Sequence, residues 1–166
     1  NGGFYPLEGF LTEADYNSVV ETMRLKEGTL WPMPITLDVG SAFAEKLEIG
    51  QNIALRDQEG VILATMAVMD RWSPNKSKEA EHVFGSNDLA HPAVNYLHNT
   101  AGSVYLGGPV AGIQQPVHYD FRSRRNTPNE LRAYFHKLGW RKVVAFQTRN
   151  PLHRAHQELT FRAAKE

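Results

Sequence analysis

Residues 143–160 constrain the fold of this 166-residue chain more than any other stretch. Residues 143–146 form a short apolar run with β-branched side chains, which predicts a buried strand. Pro151 then lies where a helix can begin. Beyond it, apolar side chains recur at the spacing of a helix with one buried face, namely Leu152, Ala155, Leu159 and Ala163. The stretch therefore predicts a strand, a turn and a helix, as in an open parallel sheet.

The turn between this strand and this helix is rich in polar side chains. Its residues are Gln147, Thr148, Arg149 and Asn150. Such a turn lies at the carboxyl end of a strand, where open parallel sheets bind their ligands. The N-terminus of the next helix presents unpaired N–H groups and about half a positive charge, which attract phosphate or sulfate. Because the guanidinium of Arg149 can bind two oxygens of such an anion, the turn predicts a polyanion site.

Two histidines in the first turn of the helix extend this prediction. His153 and His156 are three residues apart, so both imidazoles lie on one face of the helix and can reach the same phosphate. The first acidic residue, Glu158, comes only later. A zinc protease would space its histidines four apart with a glutamate after the first, whereas Arg154 follows His153 here. Each residue alone is commoner as a structural or surface residue, but the ordered combination favours the anion site.

Residues 147–156 read Gln-Thr-Arg-Asn-Pro-Leu-His-Arg-Ala-His, which resembles the active-site signature of the ATP sulfurylase (sulfate adenylyltransferase) family. The His-x-x-His element is similar to that of the wider nucleotidylyltransferase superfamily, in which glycine usually precedes the second histidine. Ala155 takes that place here. Residues 2–11, 31–38 and 91–93 also resemble family segments. The likeness runs through essentially the whole chain and is closest to the fungal-type enzymes and related bacterial ones.

The resemblance implies an α+β fold followed by the start of an α/β fold. Residues 1–120 would form a PUA-like N-terminal domain, a mixed β-barrel that is incomplete at its start. Residues 121–166 would form the first helix–strand–helix of a Rossmann-like nucleotidylyltransferase domain. The boundary is expected near residues 119–126, where three arginines cluster. A solvated linker is the simpler interpretation of that cluster, and a contact with an anion or another subunit is the alternative.

Local patterns predict the elements of both parts. Thr12 begins a helix over residues 13–23, and Thr127 begins another with a capping box. Residues 57–60 have the composition of a hairpin turn. Further strands are expected at residues 34–39, 51–56, 61–70, 104–106 and 110–114, and further helices at 41–47, 76–84 and 92–98. The glycine pair at 107–108 is expected to form a turn between the last two strands.

The resemblance also implies an activity, the reaction of ATP with sulfate to give adenylyl sulfate and pyrophosphate. By similarity, sulfate would be bound by Gln147 and Arg149. Catalysis would depend on Thr148, Arg149, Asn150, His153 and His156, and these five residues would bind ATP together with Gln147. Mg²⁺ is expected with the ATP, with no metal bound by the protein itself. The expected partners are these small molecules, with neither nucleic acid nor membrane, and the full-length protein is expected to be a homo-oligomer.

The composition agrees with a cytoplasmic enzyme and limits the alternatives. The formal net charge is zero, which disfavours the basic field that nonspecific nucleic-acid binding requires. The chain has no cysteine, no secretion signal at its start and no apolar run near the ~20 residues that span a bilayer. Two other functions stay open. One is a different nucleotidylyltransferase with the same histidine pair, and the other is a PUA-like binding module for RNA.

The two ends of the sequence favour a fragment. The chain opens on Asn1 inside a family-like segment and closes at Glu166, within the helix that follows the signature. A parallel sheet requires several strands with helical crossovers, and a further nucleotide-binding segment of the family would lie beyond this chain. We therefore expect half of a site here, and little or no activity from these residues alone.

Overall fold

A computed structural model describes residues 1–165, which divide into two compact units. The larger unit is Phe4–Asp120, and the smaller one combines Asn1–Gly3 with the chain from Phe121 onward. The strands of the larger unit are β1 (Gly9–Phe10), β2 (Leu37–Val39), β3 (Asn52–Arg56), β4 (Ile62–Ala67), β5 (Asp70–Trp72) and β6 (Val104–Gly112). Its helices are α1 (Glu13–Thr22), α2 (Ser41–Ala44), α3 (Lys76–Phe84) and α4 (Pro92–Asn99).

Strand β6 organises the larger unit. It pairs antiparallel with β1, β2, β4 and β5, while β3 pairs with β4. Successive side chains of a strand point to opposite faces. Tyr105 therefore packs into one hydrophobic cluster with Tyr16 and Trp72. Its neighbour Leu106 packs into a second cluster with Met66. Within residues 1–165 the strand pairings form a branched path rather than a closed ring.

The course of β6 corrects the prediction of two strands separated by a turn at the glycine pair. The structure has a single strand that passes through Gly107 and Gly108. The glycines are needed because other backbone lies against them. A Cβ atom on Gly108 would collide with the carbonyl oxygen of Ala67, and one on Gly107 would collide with that of Leu11. Gly108 also has a φ of +151°, which favours glycine.

Most other predicted elements of the larger unit are confirmed. Helix α1 begins after Thr12, whose hydroxyl accepts a hydrogen bond from the backbone N–H of Asp15. Helix α3 has the predicted bounds and ends at Gly85 in the left-handed region. The hairpin of β3 and β4 turns at Asp57, whose carboxylate accepts hydrogen bonds from two backbone N–H groups of the turn. The predicted strand at residues 61–70 is divided, because β5 begins at Asp70 and pairs with β6 instead.

The described part of the smaller unit contains two α-helices, α5 (Pro128–Lys137) and α6 (Arg154–Ala163), and a 3₁₀ turn at Arg122–Arg124. The capping box is confirmed. The Thr127 hydroxyl accepts from the Glu130 N–H at 3.2 Å, and the Glu130 carboxylate accepts from the Thr127 N–H at 2.6 Å. None of the helices described in residues 1–165 has the length and apolar character needed to cross a membrane.

The predicted strand at residues 143–146 is wrong for this structure. Residues 141–148 have no regular secondary structure, and Val144 is 66% exposed. A strand is held by hydrogen bonds to a neighbouring strand, and the described part of the smaller unit contains no other strand that could supply them. The apolar stripe of α6 is likewise uncovered within the described residues, with Leu159 54% exposed.

Candidate functional site

The site predicted from the sequence lies at the N-terminus of helix α6. The helix begins at Arg154 rather than at Pro151, because His153 has an extended backbone (φ −121°, ψ 175°) and acts as the N-cap residue. Its carbonyl accepts from the N–H of Gln157 at 3.1 Å, the first backbone hydrogen bond of the helix. The His153 side chain makes no capping hydrogen bond, and the first turn contains no acidic residue. The first-turn N–H groups are thus left without a side-chain acceptor, as in helices that bind anions.

The two histidine side chains of the signature are in direct contact. Their ring centroids are 3.7 Å apart and their planes make an angle of 28°, so His153 stacks on His156. His153 is exposed, whereas His156 is half-buried. Nδ1 of His156 is buried, and residues 1–165 provide it with no hydrogen-bond partner. The structure therefore brings the histidine pair together, although His153 lies at the N-cap and not within the first helical turn, where its spacing predicts it.

The turn before the helix is closed by its own side chain. The Thr148 hydroxyl accepts a hydrogen bond from the N–H of Asn150 at 3.1 Å and lies 3.0 Å from the Asn150 carbonyl oxygen, to which it can donate. Threonine often closes turns in this way. The side chains of Gln147, Arg149 and Asn150 are exposed. Within residues 1–165, no hydrogen bond joins this turn to His153 or His156. The turn and the histidine pair are therefore neighbours in sequence that share no direct bond.

The charges around the turn leave its arginine available for a ligand. Arg149 is exposed, and no carboxylate in the part of the chain described here forms an ion pair with it. The first acid of helix α6, Glu158, instead accepts from Arg162 one turn further along, at 2.8 Å. No three side chains of His, Cys, Asp or Glu within residues 1–165 come together as metal ligands. The arrangement presents cationic and N–H donors, which are suited to an anion.

One contact of the site was not predicted. The ring of Phe146 lies 5.3 Å from that of His156, at an angle of 51°. The apolar run at residues 143–146 predicts a strand, and it gives Phe146 no role apart from that of its neighbours. The available signal was its position immediately before Gln147, but the approach of its ring to His156 depends on the path of the intervening turn. The spacing of residues in the sequence does not determine the backbone path of that turn.

Comparison with protein families divides the chain at about the same place as the compact units. The family described as PUA-like domain matches residues 1–115, and the family described as ATP-sulfurylase matches residues 122–166. The second match contains the turn and both histidines.

Comparison with individual proteins gives the same families over the whole length. The chain is 56% identical to a sulfate adenylyltransferase of Gibberella zeae over 168 residues, which is 99% of this chain and 29% of the relative. It is 54% identical to a sulfate adenylyltransferase of Saccharomyces cerevisiae, covering all of this chain and 32% of that protein. The chain thus spans about a third of the length of these relatives.

A solved structure extends the likeness to three dimensions. The chain is similar to one described as a hexameric APS kinase from Thiobacillus denitrificans, with a TM-score of 0.68 and 34% sequence identity. The similarity covers 99% of this chain and 28% of that one.

Proposed function

Since this chain belongs to the ATP sulfurylase family and includes its PUA-like domain, we propose that it is part of an enzyme that joins ATP and sulfate. The products are adenylyl sulfate and pyrophosphate. The stacked pair of His153 and His156 at the uncapped start of helix α6 supports this proposal most directly. The pair follows directly after a turn whose Arg149 forms no ion pair with the described residues, and it lies at a helix start that has no described side-chain cap.

The same proposal assigns the two parts of the chain. Residues 1–120 form the PUA-like N-terminal domain, and residues 121–166 begin the Rossmann-like catalytic domain of the nucleotidylyltransferases. The division into compact units at Phe121 supports this boundary. We further propose that the full-length protein acts in the cytoplasm as a homo-oligomer. The absence of cysteine suits a reducing compartment, and the similar solved chain is described as hexameric.

The chemical problem in this reaction is repulsion between two anions. A sulfate oxygen forms a bond to the α-phosphorus of ATP, and the bond from that phosphorus to the oxygen bridging to the β-phosphate breaks, which releases pyrophosphate. Sulfate is already an anion and requires no general base. Catalysis therefore depends on holding both anions in position and on stabilising the charge of the five-coordinate phosphorus.

The donors of the site have separate roles in this mechanism. Sulfate is bound by the amide of Gln147 and by the guanidinium of Arg149, whose planar fork matches two oxygens. ATP is bound across the turn by Gln147, Thr148, Arg149 and Asn150. His153 and His156 donate to the phosphates as negative charge develops there. Gln147 and Arg149 thus contact both substrates. The residues proposed to perform catalysis are Thr148, Arg149, Asn150, His153 and His156.

The metal in this reaction enters with the substrate. ATP reacts as its magnesium complex, in which the ion neutralises phosphate oxygens. Protein sites for Mg²⁺ are built chiefly from carboxylate oxygens, whereas no Asp or Glu occurs among residues 147–157. We therefore assign no residue of this chain to the metal, and no step of the mechanism depends on a protein ligand to it.

Substrate dependence tests the proposed function. Full-length protein that carries this chain is incubated with Mg²⁺ and ATP, and pyrophosphate release is measured with sulfate, with inorganic phosphate, or with a phosphorylated acceptor. We expect release with sulfate together with formation of adenylyl sulfate, identified by mass spectrometry. If pyrophosphate release does not depend on sulfate but requires a phosphorylated acceptor, the protein is a different nucleotidylyltransferase. Salt-sensitive RNA binding without pyrophosphate release would show a binding module.

A further inference from the structure

The orientation of the His156 ring depends on aromatic packing. A functional imidazole is usually fixed by a hydrogen bond to its second nitrogen. Here Nδ1 of His156 is buried and has no partner within residues 1–165. The described contacts of the ring are instead the stacked ring of His153 and the tilted ring of Phe146. Of these two neighbours, His153 is itself an exposed member of the proposed site.

Phe146 is well placed to hold that ring. It precedes Gln147 directly, so its contact with His156 joins the start of the turn to the first turn of helix α6. It is 40% exposed, the lowest exposed fraction among the large apolar side chains of residues 143–161 that are open to solvent. Aromatic pairs at this separation favour offset or edge-to-face arrangements over a face-to-face one, so the ring of Phe146 favours some orientations of the imidazole over others. The contact therefore restricts the imidazole plane, although no hydrogen bond from the described residues does.

We propose that Phe146 is a positioning residue for His156. It holds the imidazole so that Nδ1 stays buried and Nε2 donates to the nucleotide phosphate. This inference rests on the proposed function, because it assumes that His156 donates to a phosphate oxygen. A phosphate oxygen only accepts hydrogen bonds, so Nε2 must carry the proton. Nδ1 is buried without a described partner. A proton there would be an unsatisfied donor, which costs more than an unsatisfied weak acceptor, so the geometry favours the proton on Nε2.

Kinetics of three variants of the full-length enzyme test the proposal. Phe146→Leu keeps an apolar side chain but removes the ring, and we expect kcat to fall roughly tenfold with little change in the KM for sulfate. Phe146→Tyr keeps the ring and should stay near wild-type activity. Phe161→Leu is the matched control. Phe161 lies on helix α6 with His156, is 56% exposed and has no described ring contact with either histidine. A Phe146→Leu enzyme with unchanged kcat overturns the proposal.

A second background separates positioning from a general loss of structure. In a His156→Ala enzyme, Phe146→Leu should cause no further loss of kcat, because the ring that it positions is already absent. An equal loss with and without His156 would mean that Phe146 acts through another group. Thermal midpoints of all variants are compared with that of Phe161→Leu, so that an unfolded variant is recognised.

Nitrogen NMR of the imidazoles tests the inference apart from activity. In ¹⁵N-histidine-labelled protein, we expect His156 to show the Nε2–H tautomer, and Phe146→Leu to shift its signals toward a mixture of tautomers. Signals that do not respond to Phe146→Leu contradict the proposal. If the wild-type protein shows these signals but releases no pyrophosphate with sulfate, the proposed function fails while the ring contact is retained.

Discussion

The hydroxyl of Tyr16 donates a 2.8 Å hydrogen bond to Oε2 of Glu79, across 63 residues of sequence. Tyr105 donates to the same oxygen at 3.0 Å. Glu79 is only 6% exposed, and burial raises the pKa of its carboxyl above the ordinary value, although both hydrogen bonds act in the opposite direction. Burial also raises the pKa of both tyrosines, which therefore remain donors. The aromatic core of the larger unit thus contains an ionisable group that satisfies two hydroxyls.

Removal of this carboxyl should destabilise the larger unit. We expect Glu79→Ala to lower the free energy of unfolding by roughly 2–5 kcal/mol, because two buried tyrosine hydroxyls lose their acceptor. Glu81→Ala is the control, since Glu81 lies on the same helix and is exposed; it should change stability by less than about 0.5 kcal/mol. Urea unfolding followed by near-ultraviolet circular dichroism measures both. Equal midpoints for the two variants would contradict a structural role of Glu79.

The raised pKa of Glu79 predicts the direction of a pH dependence. Above the ordinary pKa of 4.5, the folded protein retains the proton on Glu79 more strongly than the unfolded chain does. The contribution of Glu79 to the free energy of unfolding is therefore fully present below about pH 4.5. It is lost as the pH rises through the pKa of Glu79 in the folded protein. We expect wild type to lose stability relative to Glu79→Gln over that window. Parallel stability curves for the two proteins would show that Glu79 does not titrate there.

The glycines of β6 should differ sharply in their tolerance of a methyl group. Gly108→Ala would press a Cβ against the Ala67 carbonyl and impose a φ of +151° on alanine, so we expect a loss of at least about 2 kcal/mol. Gly112 lies in the same strand with nothing within 4 Å of its Cβ position. Gly112→Ala should therefore be neutral or slightly stabilising. Thermal unfolding of the two variants tests this contrast, which fails if both lose the same stability.

The assignment of Arg149 as a sulfate ligand is tested by removing its guanidinium. We expect Arg149→Ala to lower sulfate-dependent turnover of the full-length enzyme by at least roughly a hundredfold. Arg149→Lys keeps the charge but not the planar fork, so it should recover only part of the loss. Arg162→Ala serves as control, because Arg162 is paired with Glu158 at the other end of helix α6. Near-normal pyrophosphate release by Arg149→Ala would exclude this role.

His156→Ala should affect turnover more than folding. We expect a loss of roughly a hundredfold in kcat, since one phosphate donor disappears. His136→Ala, which removes an exposed histidine from helix α5, should leave kcat unchanged. Comparison of thermal midpoints is decisive here. If only His156→Ala abolishes the unfolding transition, its imidazole belongs to the core and the catalytic assignment is wrong.

Elements with local signals were predictable from the sequence. Helix α3 matches its predicted bounds, because Asn75 caps one end and Gly85 adopts the left-handed conformation at the other. The capping box of Thr127 follows from a three-residue spacing in the same way. In each case, a few neighbouring residues determine the geometry.

Features that depend on distant partners were not predictable. The strand expected at residues 143–146 requires a neighbouring strand, and residues 1–165 offer none within its unit. The glycine pair at 107–108 was interpreted as a turn, because the backbone of Ala67 that crowds it lies far away in sequence. No local pattern marks Glu79 as buried, since it follows Lys78 at the start of a charged helix. Its burial becomes evident only when Tyr16 and Tyr105 are brought beside it.

The dependence of the sheet on β6 has a consequence for synthesis of the chain. β6 is the last strand of the larger unit, yet β1, β2 and β5 find their pairing partner in it; Gly9, for example, aligns with Pro109. While the nascent chain still lacks residues 104–112, the β3–β4 hairpin is the part of this sheet that can form. Contacts so distant in sequence slow folding. The growing polypeptide must therefore avoid aggregation, with β1, β2 and β5 unpaired, until β6 leaves the ribosome.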